Sequence, residues 1–129
     1  MGRAIGHYGT AHRDEWAGMW LSEGIYFAAF TRNLDEHRAR LEALVGWPAV
    51  RVVSARWTET DLERISEEVF ERYQGSPGLT GVGLSSPTNR VRVTVRRVSL
   101  DLAAELRAAW PDQLLIEHGE GGRALSHGA

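Results

Sequence analysis

Arg90, Arg92, Thr94 and Arg96 alternate with Val91, Val93 and Val95 along one short segment of this chain, and Asn89 stands at its start. Alternation places the two sets on opposite sides of a β-strand, so the guanidinium groups form a row on one face. Arginine forks match carboxylates and phosphates, and the row could therefore hold an acidic protein surface or a phosphate backbone. The competing reading is that it lies over solvent and pairs with acids of a neighbouring strand or of the tail.

The histidines offer less. His37 lies on the apolar face of an expected helix and aligns with Leu102 in a second copy of the same pattern, which favours a place in the core over catalysis. His7 and His12 stand near Asp14 and Glu15, too few neighbours for a dedicated metal clip. His118 ends a strand beside Glu117 and Glu120, and His127 belongs to the C-terminal tail. A small enzyme or metal site would need His37 and His118 to converge with acids. Glu59, Asp61, Glu63, Glu67, Glu68 and Glu71 crowd one helix, where such a run is a solvated face supported by Arg64 and Arg72. No nucleophile elbow, phosphate loop or zinc-protease helix is present. No catalytic residue, cofactor or metal is expected.

The elements that must position these groups form an internal repeat. Gly18 to Leu21 and Ile25 to Thr31 read as a hairpin turning at Glu23-Gly24, followed by a helix with Asn33 and Glu36 as a reciprocal cap, and by a strand from Ala49 to Trp57. A linking helix carries the stripe Leu62, Ile65, Val69 and Tyr73, with Thr58 among its caps and no counterpart ahead of the first copy. A second hairpin turns at Ser86-Pro-Thr-Asn and leads through the Arg-lined strand, written Arg90 to Arg97, to a helix capped by Ser99 and a last strand, Leu114 to His118. The expected class is α+β: two ββαβ repeats joined by a linking helix, with helices packed on mainly antiparallel sheet. The expected divisions are a flexible arm at 1–14, a first unit at 15–57, a second at 58–119 with its linking helix, and a flexible tail at 120–129.

The chain has 129 residues, 43% of them hydrophobic, with five Trp, enough for one core or two small halves. Its 15 basic and 17 acidic residues leave a net charge of −2, so no global field draws nucleic acid or an anionic membrane. Every basic residue is Arg, and Cys is absent, which removes Schiff-base lysine and thiolate chemistry. No stretch matches a membrane span, and the N-terminus is too short and polar for a signal peptide.

The run Gly81-Val-Gly-Leu-Ser-Ser-Pro-Thr-Asn-Arg-Val-Arg-Val-Thr-Val, with the helix and strand after it, resembles the pro-domains of streptogrisin and α-lytic-type secreted serine proteases. Those modules read as a short strand, a turn with Thr-Asn and a Val-rich strand. The run is also similar to uncharacterised actinobacterial proteins in which a Gly-x-Trp-x segment, here Gly18-Met-Trp-Leu, comes first. The resemblance is closer over 60–119 than over 14–57. It implies a secreted, non-enzymatic module that assists or inhibits a serine protease by adding strand to strand and placing its tail in the substrate cleft. A protein partner is therefore expected, through a sheet edge, the Val91 to Arg97 strand and the tail. Nucleic-acid or anionic-ligand binding by Asn89, Arg90, Arg92, Thr94 and Arg96 is the alternative, and a free edge also invites a homodimer.

Overall fold

Strand, turn and helix signals resolve into α1 (Gly2–Thr10), β1 (Trp16–Ser22), β2 (Ile25–Phe30), α2 (Leu34–Val45), β3 (Val50–Ser54), α3 (Glu59–Tyr73), β4 (Leu79–Ser85), β5 (Arg90–Val95), α4 (Leu100–Ala109) and β6 (Leu114–His118). The computed structural model describes residues 1–46 and 49–119, so the expected tail at 120–129 lies outside the described residues. The chain divides into two units, Met1–Asp61 and Leu62–Ala129.

The fold is α+β, with one three-stranded sheet in each unit, ordered β1-β2-β3 and β4-β5-β6. Each sheet is mixed. The hairpins β1–β2 and β4–β5 are antiparallel, while β2–β3 and β5–β6 are parallel because a helix carries the chain back between them.

The repeat holds to the level of single hydrogen bonds. Both hairpins carry an irregularity at the same place, Trp16/Gly18 in one and Leu79/Gly81 in the other. The Thr31 amide donates to the Glu15 carbonyl at 2.8 Å, and the Arg96 amide donates to the Gly78 carbonyl at 2.9 Å. Ala55 donates to Phe30 as Gly119 donates to Val95, both at 2.9 Å. Hence Glu15 corresponds to Gly78, and Phe27 to Arg92.

The N-terminal segment corrects the expectation of a loose arm. Residues 2–10 form α1, packed on β1 and α2, so the first repeat has its own leading helix and the unit is αββαβ in both copies. Gly2, Gly6 and Gly9 weaken this helix intrinsically; its place comes from tertiary contacts. Ile5 is fully buried in a core with Trp16, Ala28, Phe30, Leu41, Val50 and Val52. Gly9 lies flat against the Trp16 indole, where a Cβ would stand 2.3 Å from ring carbons.

In the second unit the stripe of α3 is buried as its spacing requires, and Val91, Val93 and Val95 are fully buried, as are Ala103 and Leu106 of α4 to within 1%. Thr58 caps α3, accepting a bond from the Asp61 amide at 3.1 Å. The other two expected caps do not form. Neither Asn33 nor Ser99 makes a side-chain capping bond, and Asn33 takes a left-handed conformation (φ 58°) that turns its amide elsewhere.

Candidate functional site

Asn33 turns toward a polar cluster in the first unit. His37, on the inner face of α2, is 1% exposed and is bonded at both ring nitrogens. Nε2 lies 2.6 Å from Glu15 Oε1, and Nδ1 lies 2.6 Å from the Tyr8 hydroxyl. A carboxylate only accepts, so Nε2 carries the hydrogen, and in the neutral ring Nδ1 accepts from Tyr8. Glu15 Oε2 receives Arg32 Nε at 3.0 Å and Asn33 Nδ2 at 2.9 Å. Phe30 stacks on the imidazole with centroids 3.9 Å apart. His12 stacks on Tyr8 at 4.2 Å, and its Nδ1 lies 2.7 Å from the Tyr8 carbonyl, to which it donates.

Carboxylate, imidazole and hydroxyl in that order are the parts of a catalytic triad, but the electrostatics run against nucleophilic use. Burial pushes the Tyr8 phenol up, and the adjacent Arg40 guanidinium only partly opposes it. The His37 bond, with Arg32 and Asn33, holds the Glu15 carboxyl below its ordinary value. All buried side-chain donors and acceptors among the described residues have partners. The cluster is a clasp joining α1, the loop before β1, the turn after β2 and α2.

The second unit does without it. Where Glu15 meets Asn33 and His37, Gly78 faces Ser99 and Leu102, and a Cβ at Gly78 would stand 2.5 Å from Ser99 Oγ and 3.0 Å from Leu102 Cδ2. The correspondence of His37 with Leu102 thus rightly places His37 inside. It does not reveal its polar partners, Tyr8 and Glu15. A histidine among apolar helix positions must satisfy two ring nitrogens, and that was the available signal.

His118 is in the other unit, exposed at the end of β6, with Nδ1 3.5 Å from the Arg96 carbonyl. Among the described residues no group of three or more His, Asp or Glu could hold a metal ion. No described helix is long and apolar enough to cross a membrane.

The arginine row is only partly a row. β5 ends at Val95, so Arg96 and Arg97 lie beyond it, and β5 is the central strand of its sheet rather than an edge. Arg90 and Arg92 are exposed and Thr94 is half-buried, its carbonyl accepting from the Thr80 hydroxyl at 2.9 Å. Arg92 Nε is 3.3 Å from Glu117 Oε1 on β6, the cross-strand pairing that competes with ligand binding. Asn89 closes the turn with φ 54°, its amide donating to the Ser86 carbonyl.

The sheet edges fall to β1, β3, β4 and β6, and β1, Trp-Ala-Gly-Met-Trp-Leu-Ser, carries no charge and no proline. β3 carries Arg51 and β6 ends in Glu117 and His118, charges of the kind that keep edges from pairing. β4, Leu-Thr-Gly-Val-Gly-Leu-Ser, has no charge and no proline along its seven residues. Leu84 on it is 39% exposed, and Phe70 of α3 is 54% exposed. Val82 of β4 and Ser66, Glu67, Phe70 and Glu71 of α3 line a groove of about 260 Å³.

No protein-family model matches the chain, and no curated protein matches it.

Proposed function

We propose that this chain is a non-enzymatic protein-binding module, similar in mode to a protease pro-domain, which accepts an extended segment of its partner along the outer edge of β4. The observation that carries this reading is an uncharged, proline-free edge strand that bears the exposed Leu84 and has beside it an open groove lined by the exposed Phe70. Backbone amides and carbonyls along such an edge supply affinity, and alternate side chains of the added strand supply selectivity. The moderate chemistry of the rest of the molecule agrees: the buried polar cluster is spent internally, and Arg92 is engaged by Glu117.

The test is a titration against a panel of secreted serine proteases, reading inhibition and complex formation, with hydrogen exchange on the complex. The expected result is a complex in which the amides of Leu79–Ser85 gain protection. A complex that leaves β4 exchange unchanged refutes edge pairing, and failure to bind or inhibit any protease in the panel refutes the protease as partner.

A further inference from the structure

The groove beside β4 carries information about what the added segment must look like. Phe70 lies off the buried stripe Leu62, Ile65, Val69 and Tyr73, so the interior of the unit does not account for its ring. Glu67 and Glu71 sit one turn apart on the same helix flank, and neither has an ion-pair partner among the described residues. Like charges at that spacing repel and weaken a helix. The half-buried Val82 supplies the sheet side of the groove. One wall is therefore apolar and acidic together, and the other belongs to a strand whose outer edge pairs with no strand among the described residues.

We propose that this groove selects a basic extended segment: an apolar side chain seated between Phe70 and Val82, with Lys or Arg at the next position on the same face reaching Glu67 and Glu71. The spacing supports it. Same-face residues of a strand recur about every 6.6 Å, and one turn of the helix advances about 5.4 Å, so a segment laid along the groove meets both carboxylates with alternate side chains. Its cationic groups relieve the repulsion between them. An acidic or uncharged segment would leave that repulsion in place. This inference rests on edge pairing at β4 and adds the charge and pattern of the partner.

The probes are three capped peptides: Lys-Thr-Lys-Thr-Val-Thr-Lys, which carries its Lys and Val on one face, the same peptide with Glu for every Lys, and the Lys peptide N-methylated along one pairing edge. Each is titrated into the ¹⁵N-labelled full chain. The expected outcome is that the Lys peptide shifts amides of 66–71 and 79–85, binds at least about tenfold more tightly than the Glu peptide, and weakens about tenfold on Phe70→Ala. The pair Glu67→Lys and Glu71→Lys should reverse the preference. These positions line an open groove, so the substitutions leave the core intact. Equal affinity of the Lys and Glu peptides at β4 overturns the charge selection and leaves edge pairing standing. Binding of the N-methylated peptide as tightly as its parent, or no response of β4 to any peptide, overturns edge pairing itself.

Discussion

Tyr8→Phe deletes one oxygen from α1 and changes little else. That hydroxyl lies 2.6 Å from Nδ1 of a histidine that is 1% exposed, so its loss leaves a buried ring nitrogen without its partner. A buried acceptor left unmet costs about 1–3 kcal/mol. With a urea dependence of about 1.5 kcal/mol/M, a loss of about 2 kcal/mol lowers the unfolding midpoint of the first unit by about 1.3 M. His37→Leu, which copies Leu102 of the other repeat, removes both ring bonds and is expected to cost more, about 2–4 kcal/mol. Once the ring is gone the hydroxyl has lost its acceptor there, and adding Tyr8→Phe should cost under about 0.5 kcal/mol. The double-mutant cycle therefore closes with a coupling of at least about 1 kcal/mol. Urea unfolding followed by hydrogen exchange in α1 and α2 measures all four corners. Additive single-mutant effects would refute the clasp.

Gly9→Ala should displace α1, because the new methyl meets the Trp16 ring at 2.3 Å; a cost of about 1–3 kcal/mol is expected, read by Trp fluorescence and by exchange in α1, and an unchanged melting temperature would contradict it. Glu15 gives the first unit an acid limb. Its folded-state value is depressed, first by the His37 bond, so the stability it contributes is fully present above the ordinary carboxylate value near 4.5 and is lost as pH falls through the lower folded value. Melting temperature followed from pH 6 downward should show this loss, and Glu15→Gln should flatten it.

What was legible in the sequence followed from strict patterns. The alternation of Val91, Val93 and Val95, the stripe of α3, the turns at Glu23-Gly24 and Ser86 to Asn89 and the Thr58 cap all depend on residues close in sequence. What escaped was set by contacts across long separations. α1 has three glycines and no side-chain cap, and distant contacts, the Trp16 indole, the Ile5 pocket and the Tyr8 bond to His37, make it a helix. Asn33 follows the capping pattern, yet the Glu15 carboxylate captures its amide. β5 reads as a strand whose edge could pair until its own partners place it between two others.

The two repeats also show why the clasp exists. Both position a helix ahead of a hairpin, but α3 has fifteen residues, a cap and a four-residue apolar stripe, whereas α1 has nine residues and buries Ile5 and Gly9. Each glycine costs a helix about 1 kcal/mol relative to alanine, and Gly9 cannot be exchanged without displacing Trp16. A helix so weak needs fastening from outside, and Tyr8, His37 and Glu15 provide it by hydrogen bonds. α3 needs no such fastening, so Gly78 and Leu102 suffice in the corresponding place. In the second unit Glu67 and Glu71 line the groove on the flank of α3 beside β4. The same αββαβ unit is thus fastened by an enclosed polar cluster in one copy and by a longer capped helix with an apolar stripe in the other.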